Sequence, residues 1–160
     1  MSPSTAVPPL FGGCFFESSG RKVASGTGNG GEVHPNEALV RSGYDAFIRG
    51  DLEAVAGFLH PDVLWHVAGT GPLAGIYKGH AELLEFFAHI AEITDGTISI
   101  EARDVLASDD HVIVLTQMRA VRGGRVLDDR GVAMFTIVDG QATEVHMFAE
   151  DQDALDGFFA

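Results

Sequence analysis

Three apolar stretches, His111–Val121, Val126–Val138 and Ala142–Phe148, close this chain, joined by Gly123-Gly124 and Asp139-Gly140. Such pairs allow the positive φ angles of two-residue hairpin turns, whose twist suits antiparallel strands. Ahead of them lie segments rich in Phe and Leu at helical spacing. A curled antiparallel sheet fed by amphipathic helices forms a container for a small molecule.

The helices follow from periodicity. Val40, Tyr44, Phe47 and Ile48 share one face of a helix near Asn36–Arg49. Gly50-Asp51 stops it and caps the next, whose stripe is Leu52, Val55, Phe58 and Leu59. That second helix ends at His60-Pro61, because the residue before proline avoids helix. Asp62–Val67 reads as a strand, residues 68–72 as a loop and Gly75–Lys78 as a short extended stretch. A third helix, His80–Ile93, buries Leu83, Leu84, Phe86, Phe87 and Ile90. Thr97–Leu106 is a strand, turned by Ser108-Asp109-Asp110 into the three hairpin strands. Asp151 caps a last helix carrying Leu155, Phe158 and Phe159.

Composition narrows the partners. Hydrophobic residues make up 46% of the 160, ample for one core. The net charge is −13. Glu17, Arg21, Lys22 and Glu32 cancel, so the excess acid lies from Val33 onward. So acidic a domain repels phosphate backbones and anionic lipids, which argues against nucleic acid and membrane surfaces. The single cysteine, Cys14, permits no intrachain disulfide, and a cytoplasmic address is expected. Residues 1–32 carry Pro3, Pro8, Pro9 and seven glycines without a periodic apolar face, and are expected to be a disordered tail before a domain at 33–160. A purine-rich ribosome-binding stretch can encode Gly30-Gly31-Glu32, and Val33 can be a GTG start.

Strand alternation sorts candidate pocket residues. If Trp65 points inward, so do Val63 and Val67, and His66 points away. Val112, Val114, Thr116, Met118 and Ala120 share a face, as do Asp129, Gly131, Ala133 and Phe135, and Val145 and Met147. Trp65, Val67, Phe87, Thr116, Met118, Ala133, Val145 and Met147 are therefore the candidate ligand-lining residues. Gln117, Arg119, Glu144 and His146 fall on the other face and suit water or a dimer contact. Asp129 is either a solvated strand-end acid or, if buried, a general acid–base group. Tyr44 is either a core aromatic or a donor to a ligand carbonyl. His66, beside Trp65, is a third catalytic candidate, though its outward parity suits a sheet-surface or dimer-face role. His60, His66, His80, His89, His111 and His146 lack the short spacing of zinc enzymes, so no metal is expected. No dinucleotide or phosphate-loop motif occurs, so no cofactor is expected.

The element order resembles the SnoaL-like group of the nuclear-transport-factor-2-like superfamily. So do the phrases Tyr44–Leu52 (YDAFIRGDL), His60–His66 (HPDVLWH), Pro72–Gly79 (PLAGIYKG), and the Asp139-Gly140 hairpin followed by Thr143-Glu144. The likeness spans about Pro35 to Ala160. It implies an α+β cone: a curved antiparallel sheet with helices on its concave face, enclosing an apolar pocket. It also implies a cofactor-independent cyclase- or isomerase-type enzyme for an apolar, ring-bearing substrate, or a non-catalytic ligand-binding or accessory protein. Homodimers are common in such families. The catalytic positions depart from the pattern. Where related isomerases hold Tyr, a base and an oxyanion Asp, this chain has Gly43, Val67 and Ala133. Where related epoxide hydrolases hold Asp-Arg-Asp, it has Met118, Thr116 and Met147. Asp129 is the carboxylate that parity leaves near the cavity.

A tail of this composition buries too little apolar surface to offset an ordering cost of about 1–2 kcal/mol per residue. Deleting residues 1–32 therefore leaves the thermal midpoint unchanged in calorimetry. A large drop would mean that Phe11, Phe15 or Phe16 fills part of the domain.

Overall fold

The computed structural model describes residues 32–160; the expected tail lies outside the described residues, apart from Glu32. Ten elements follow one another: α1 (Pro35–Ile48), α2 (Leu52–Phe58), β1 (Leu59–Val67), β2 (Gly75–Lys78), α3 (Gly79–Ile93), β3 (Ser99–Ala107), β4 (His111–Arg122), β5 (Arg125–Val138), β6 (Gln141–Ala149) and α4 (Gln152–Phe159). The six strands form one sheet in the order β2-β1-β6-β5-β4-β3. The helices cover one face of this curved, unclosed sheet, giving the expected cone.

Local chemistry sets the joints. Gly123 and Gly124 have φ of 56° and 77°, and Asp139 and Gly140 have 50° and 75°. Both hairpins thus use the left-handed pairs that their residues favour. Asp51 and Asp151 cap α2 and α4, each side chain accepting the N–H three residues on, from Ala54 and Ala154 at 3.0 Å.

Two features depart from the sequence reading. Leu59 begins a strand and not the end of α2, so β1 starts three residues early. Leu59 caps α2 in extended backbone (φ −95°, ψ 137°), and Pro61 holds the next residue, His60, extended as well. The proline sits where the β1–β6 register shifts, between Leu59 and Leu64, a position that spares the missing N–H. The β1–β6 pair is also parallel, whereas the other four are antiparallel, so the sheet is mixed. On α1, Ile48 is 54% exposed, and Val40, Gly43 and Ala46 make the buried face.

The core lies between the helices and the inner face of the sheet. Phe135, Val145 and Trp65 are cross-strand neighbours on β5, β6 and β1. Trp65 meets Phe87 of α3 and Phe135 edge-on, with ring centroids 5.5 and 6.3 Å apart. Phe58 of α2 packs against Gly43 of α1. A Cβ at Gly43 would lie 2.7 and 2.8 Å from ring carbons Cζ and Cδ1 of Phe58.

Gly43→Ala therefore lowers the thermal midpoint by about 2–6 °C, because overpacking costs of ~1–3 kcal/mol outweigh the gain in helix propensity of up to ~1 kcal/mol. Adding Phe58→Leu recovers part of the loss. An unchanged midpoint in the single variant would show that Phe58 swings aside freely.

Candidate functional site

The inner face of the sheet is built in rows. Across β5, β6 and β1 run Phe135–Val145–Trp65 and Ala133–Met147–Val67. Further along β5, Gly131 pairs with Thr116 and Ala149, and Asp129 pairs with Met118, itself beside Ile100. A cavity of about 110 Å³ lies above these rows. One water needs roughly 10–15 Å³, so several waters or one small ring system fit. Its walls are chiefly apolar: Phe47, Phe86, Phe87 and Ile90 from the helices, Met118 and Met147 from the strands.

Of the residues singled out from sequence, Asp129, Tyr44, Trp65, Val67, Phe87, Thr116, Met118 and Met147 border the cavity. Ala133 is 1% exposed and Val145 fully buried, and both belong to the core beneath the wall. His66 faces the opposite side of the sheet. Its ring stacks on that of His146 with centroids 4.0 Å apart, and its Nε2 lies 2.9 Å from Glu144 Oε1.

The polar groups at the cavity are few and widely spaced. Asp129 is 8% exposed, and its Oδ1 accepts a hydrogen bond from the Asp151 N–H at 3.3 Å. Burial pushes its carboxyl above the usual carboxylate range, the Asp151 N–H opposes that rise, and the charges of Glu150 and Asp151 add to it. Asp129 also borders the outer groove formed with α4, which places it at the mouth. Tyr44 lies at the other end. Its ring is 6.3 Å from that of Phe135, and burial raises the pKa of its hydroxyl. Phe135 stands six residues from Asp129 on an extended strand, on the order of 20 Å away. Tyr44 and Asp129 thus border the cavity from different elements, α1 and β5. Trp65 Nε1 is buried with no hydrogen-bond partner among the described residues, a rare state for a buried indole N–H.

The loop at residues 68–74 and α4 shape the mouth. Asp156 Oδ2 accepts from the Thr70 N–H at 2.7 Å, while Gln152 donates to the Ala68 carbonyl at 3.1 Å and to Asp156 Oδ1 at 2.9 Å. The Thr70 N–H holds the Asp156 carboxyl below its usual range. Gly69 (φ 105°) and Gly71 permit this approach, since a Cβ at Gly71 would lie 3.0 Å from Asp156 Cα. Sequence reasoning missed Gln152 and Asp156. Their i, i+4 spacing behind the Asp151 cap was the available signal.

Because burial raises the folded carboxyl of Asp129 above its ordinary value near 3.8, the folded state favours the protonated form. The ionised group thus weakens folding. That penalty is absent below pH 3.8, grows as pH rises through the folded pKa and is complete above it. Asp129→Asn removes it and keeps an oxygen for the Asp151 N–H. The variant therefore melts above wild type at pH 7, and the gap closes toward pH 3.5 in calorimetric scans. A variant less stable at pH 7 would show that the carboxylate is held in a favourable hydrogen-bond network.

Comparison with known proteins agrees with this architecture. The model of the SnoaL-like domain matches residues 40–145. The protein Rv0034 of Mycobacterium tuberculosis is 36% identical over 123 residues, spanning 76% of this chain and 94% of its own. Among solved structures, Bal32a from a soil-derived mobile gene cassette is 31% identical with a TM-score of 0.76, covering 79% of this chain and 97% of its own. TerC, solved in co-crystals with polyporic acid, is 27% identical with a TM-score of 0.70, covering 79% and 98%.

Proposed function

The chain belongs to the SnoaL-like domain family, and on that footing we propose that it is a small-molecule metabolic protein whose cavity takes an apolar, ring-bearing compound. The proposed chemistry is cyclase- or isomerase-type proton transfer without a cofactor, with Asp129 as acid–base group. The observation that carries it is the buried carboxylate of Asp129, with its raised pKa, at the mouth of an otherwise apolar cavity. Burial shifts this carboxyl upward from its ordinary value, the direction that favours acid–base work near neutral pH. Trp65 and Phe87 supply ring walls. Tyr44 and the Trp65 N–H supply donors at the closed end, remote from Asp129. TerC's co-crystals with polyporic acid support small organic ligands as the class.

A second reading is a ligand-binding protein without turnover. Val67, Met118 and Met147 favour it, because they line the cavity with apolar groups where catalytic relatives hold polar ones. In either reading a homodimer is proposed, with exposed Leu115 and Phe148 as candidate contacts on the outer sheet face. No helix among the described residues is long and apolar enough to cross a membrane.

Titration with 2-naphthol, a ring bearing one hydroxyl, tests the cavity. The emission of Trp65, the sole tryptophan, changes on binding, and Trp65→Ala weakens affinity at least tenfold. Tight binding with neither effect would place the ligand elsewhere. Compounds recovered from the native protein by mass spectrometry then serve as substrates. Asp129→Asn lowers their turnover by about 10²–10⁴-fold, and Asp128→Asn, on the exposed face beside Arg119, does not. Binding without turnover in wild type establishes the second reading.

A further inference from the structure

The outer face of the sheet carries a cluster that the cavity does not use. His66 of β1 and His146 of β6 are direct partners in the parallel register, and Glu144 stands two residues before His146, on the same face. Sequence separates His66 from the other two, but the sheet gathers them. One ligand atom from each of the three lies within 4.8 Å of the other two. Glu144 Oε1 is 2.9 Å from His66 Nε2 and 3.1 Å from His146 Nε2.

From this geometry we propose a divalent metal site of the zinc type, held by His66 Nε2, His146 Nε2 and a Glu144 carboxylate oxygen. Zinc binds imidazole nitrogen and carboxylate oxygen at about 2.0–2.2 Å, so adjacent ligand atoms of a tetrahedral site stand about 3.3 Å apart. The two separations in the cluster fall within about half an ångström of that. The direction of His66 Nε2 is the second observation. This nitrogen is sealed from solvent and, although 2.9 Å from Oε1, makes no directed hydrogen bond among the described residues. That leaves the His66 lone pair free for an ion, whereas His146 Nε2 is hydrogen-bonded to Glu144 Oε1 at 3.1 Å, a bond that the ion would replace. The imidazole planes are stacked, 6° from parallel with centroids 4.0 Å apart, so a ring must turn about its Cβ–Cγ bond for the two in-plane lone pairs to converge on one ion.

The cluster opens to solvent through His146 and Glu144, whose side chains are 30% and 40% exposed. A fourth position is left for water. The ion would cross-link β1 to β6 beside the place where their register shifts, so its binding stabilises that seam.

Equilibrium dialysis and calorimetric titration of the full chain, stripped by chelator and free of any polyhistidine tag, test this with zinc ion. The expected result is one saturable zinc ion per chain at micromolar or tighter Kd, and a rise of several degrees in thermal midpoint at 100 times Kd. His146→Ala and Glu144→Gln each weaken binding at least tenfold. His89→Ala, His111→Ala and Cys14→Ser leave it unchanged. Glu144→Gln preserves shape at a half-exposed position and decides the matter if His146→Ala fails to fold. No saturable binding below 100 µM, full binding in Glu144→Gln, or loss in any control variant overturns the proposal and leaves the cluster a His–Glu–His contact across β1 and β6. Magnesium binding as tight as zinc also overturns it, since a nitrogen-rich site disfavours magnesium.

Discussion

The parallel pairing of β1 with β6 is the constraint from which both faces of the sheet take their character. It places Trp65 beside Val145 and Val67 beside Met147 on the inner side. Through the antiparallel β5–β6 pairing it carries Trp65 into the row of Phe135. On the outer side the same register sets His66 against His146. Because side chains alternate along a strand, a slip of one residue would exchange the two faces of β1. Trp65 would then face outward, and the imidazole would be buried among aromatic rings. The irregular stretch between Leu59 and Leu64 absorbs the mismatch of Pro61 before this register begins.

Much of this was legible in the sequence because it is local. The two hairpins depend on Gly123-Gly124 and Asp139-Gly140, and the α2 and α4 starts on Asp51 and Asp151, each acting within three residues of itself. Alternation then predicted that Asp129, Thr116 and Met118 share the cavity side. What escaped is non-local. No pattern within β1 shows that its partner is parallel, and the meeting of His66 with His146 exists in that pairing alone. Ala133 and Val145 share the correct face, but alternation does not say how deep beneath the wall a residue sits. Gln152 and Asp156 matter through a loop whose path depends on Gly69 and Gly71.

The cavity's polar groups come from different elements. Tyr44 of α1 packs on Phe135, three inner-face steps along β5 from Asp129, and Asp129 also borders the groove with α4. On the proposed reading, the apolar rings of a ligand lie over Met147 and Val67, and the proton passes at the end that Asp129 borders, close to the water that accepts or supplies it.

The acidic surroundings of that mouth push the same way. Asp129 sits near Glu150 and Asp151, whose charges add to the effect of burial. Arg130 is engaged by Glu150, with bonds of 2.7 and 2.5 Å, and so does not neutralise Asp129 by direct pairing. The carboxyl is thus kept in an environment that resists ionisation, a rise that the backbone N–H groups of Asp151 and Glu150 partly oppose. A ligand that covered it would exclude more water and raise its proton affinity again. A neutral ligand is therefore favoured over an anionic one at this end. On the proposed reading, occupancy thus shifts the carboxyl further toward the protonated form that donates to a carbonyl or hydroxyl oxygen.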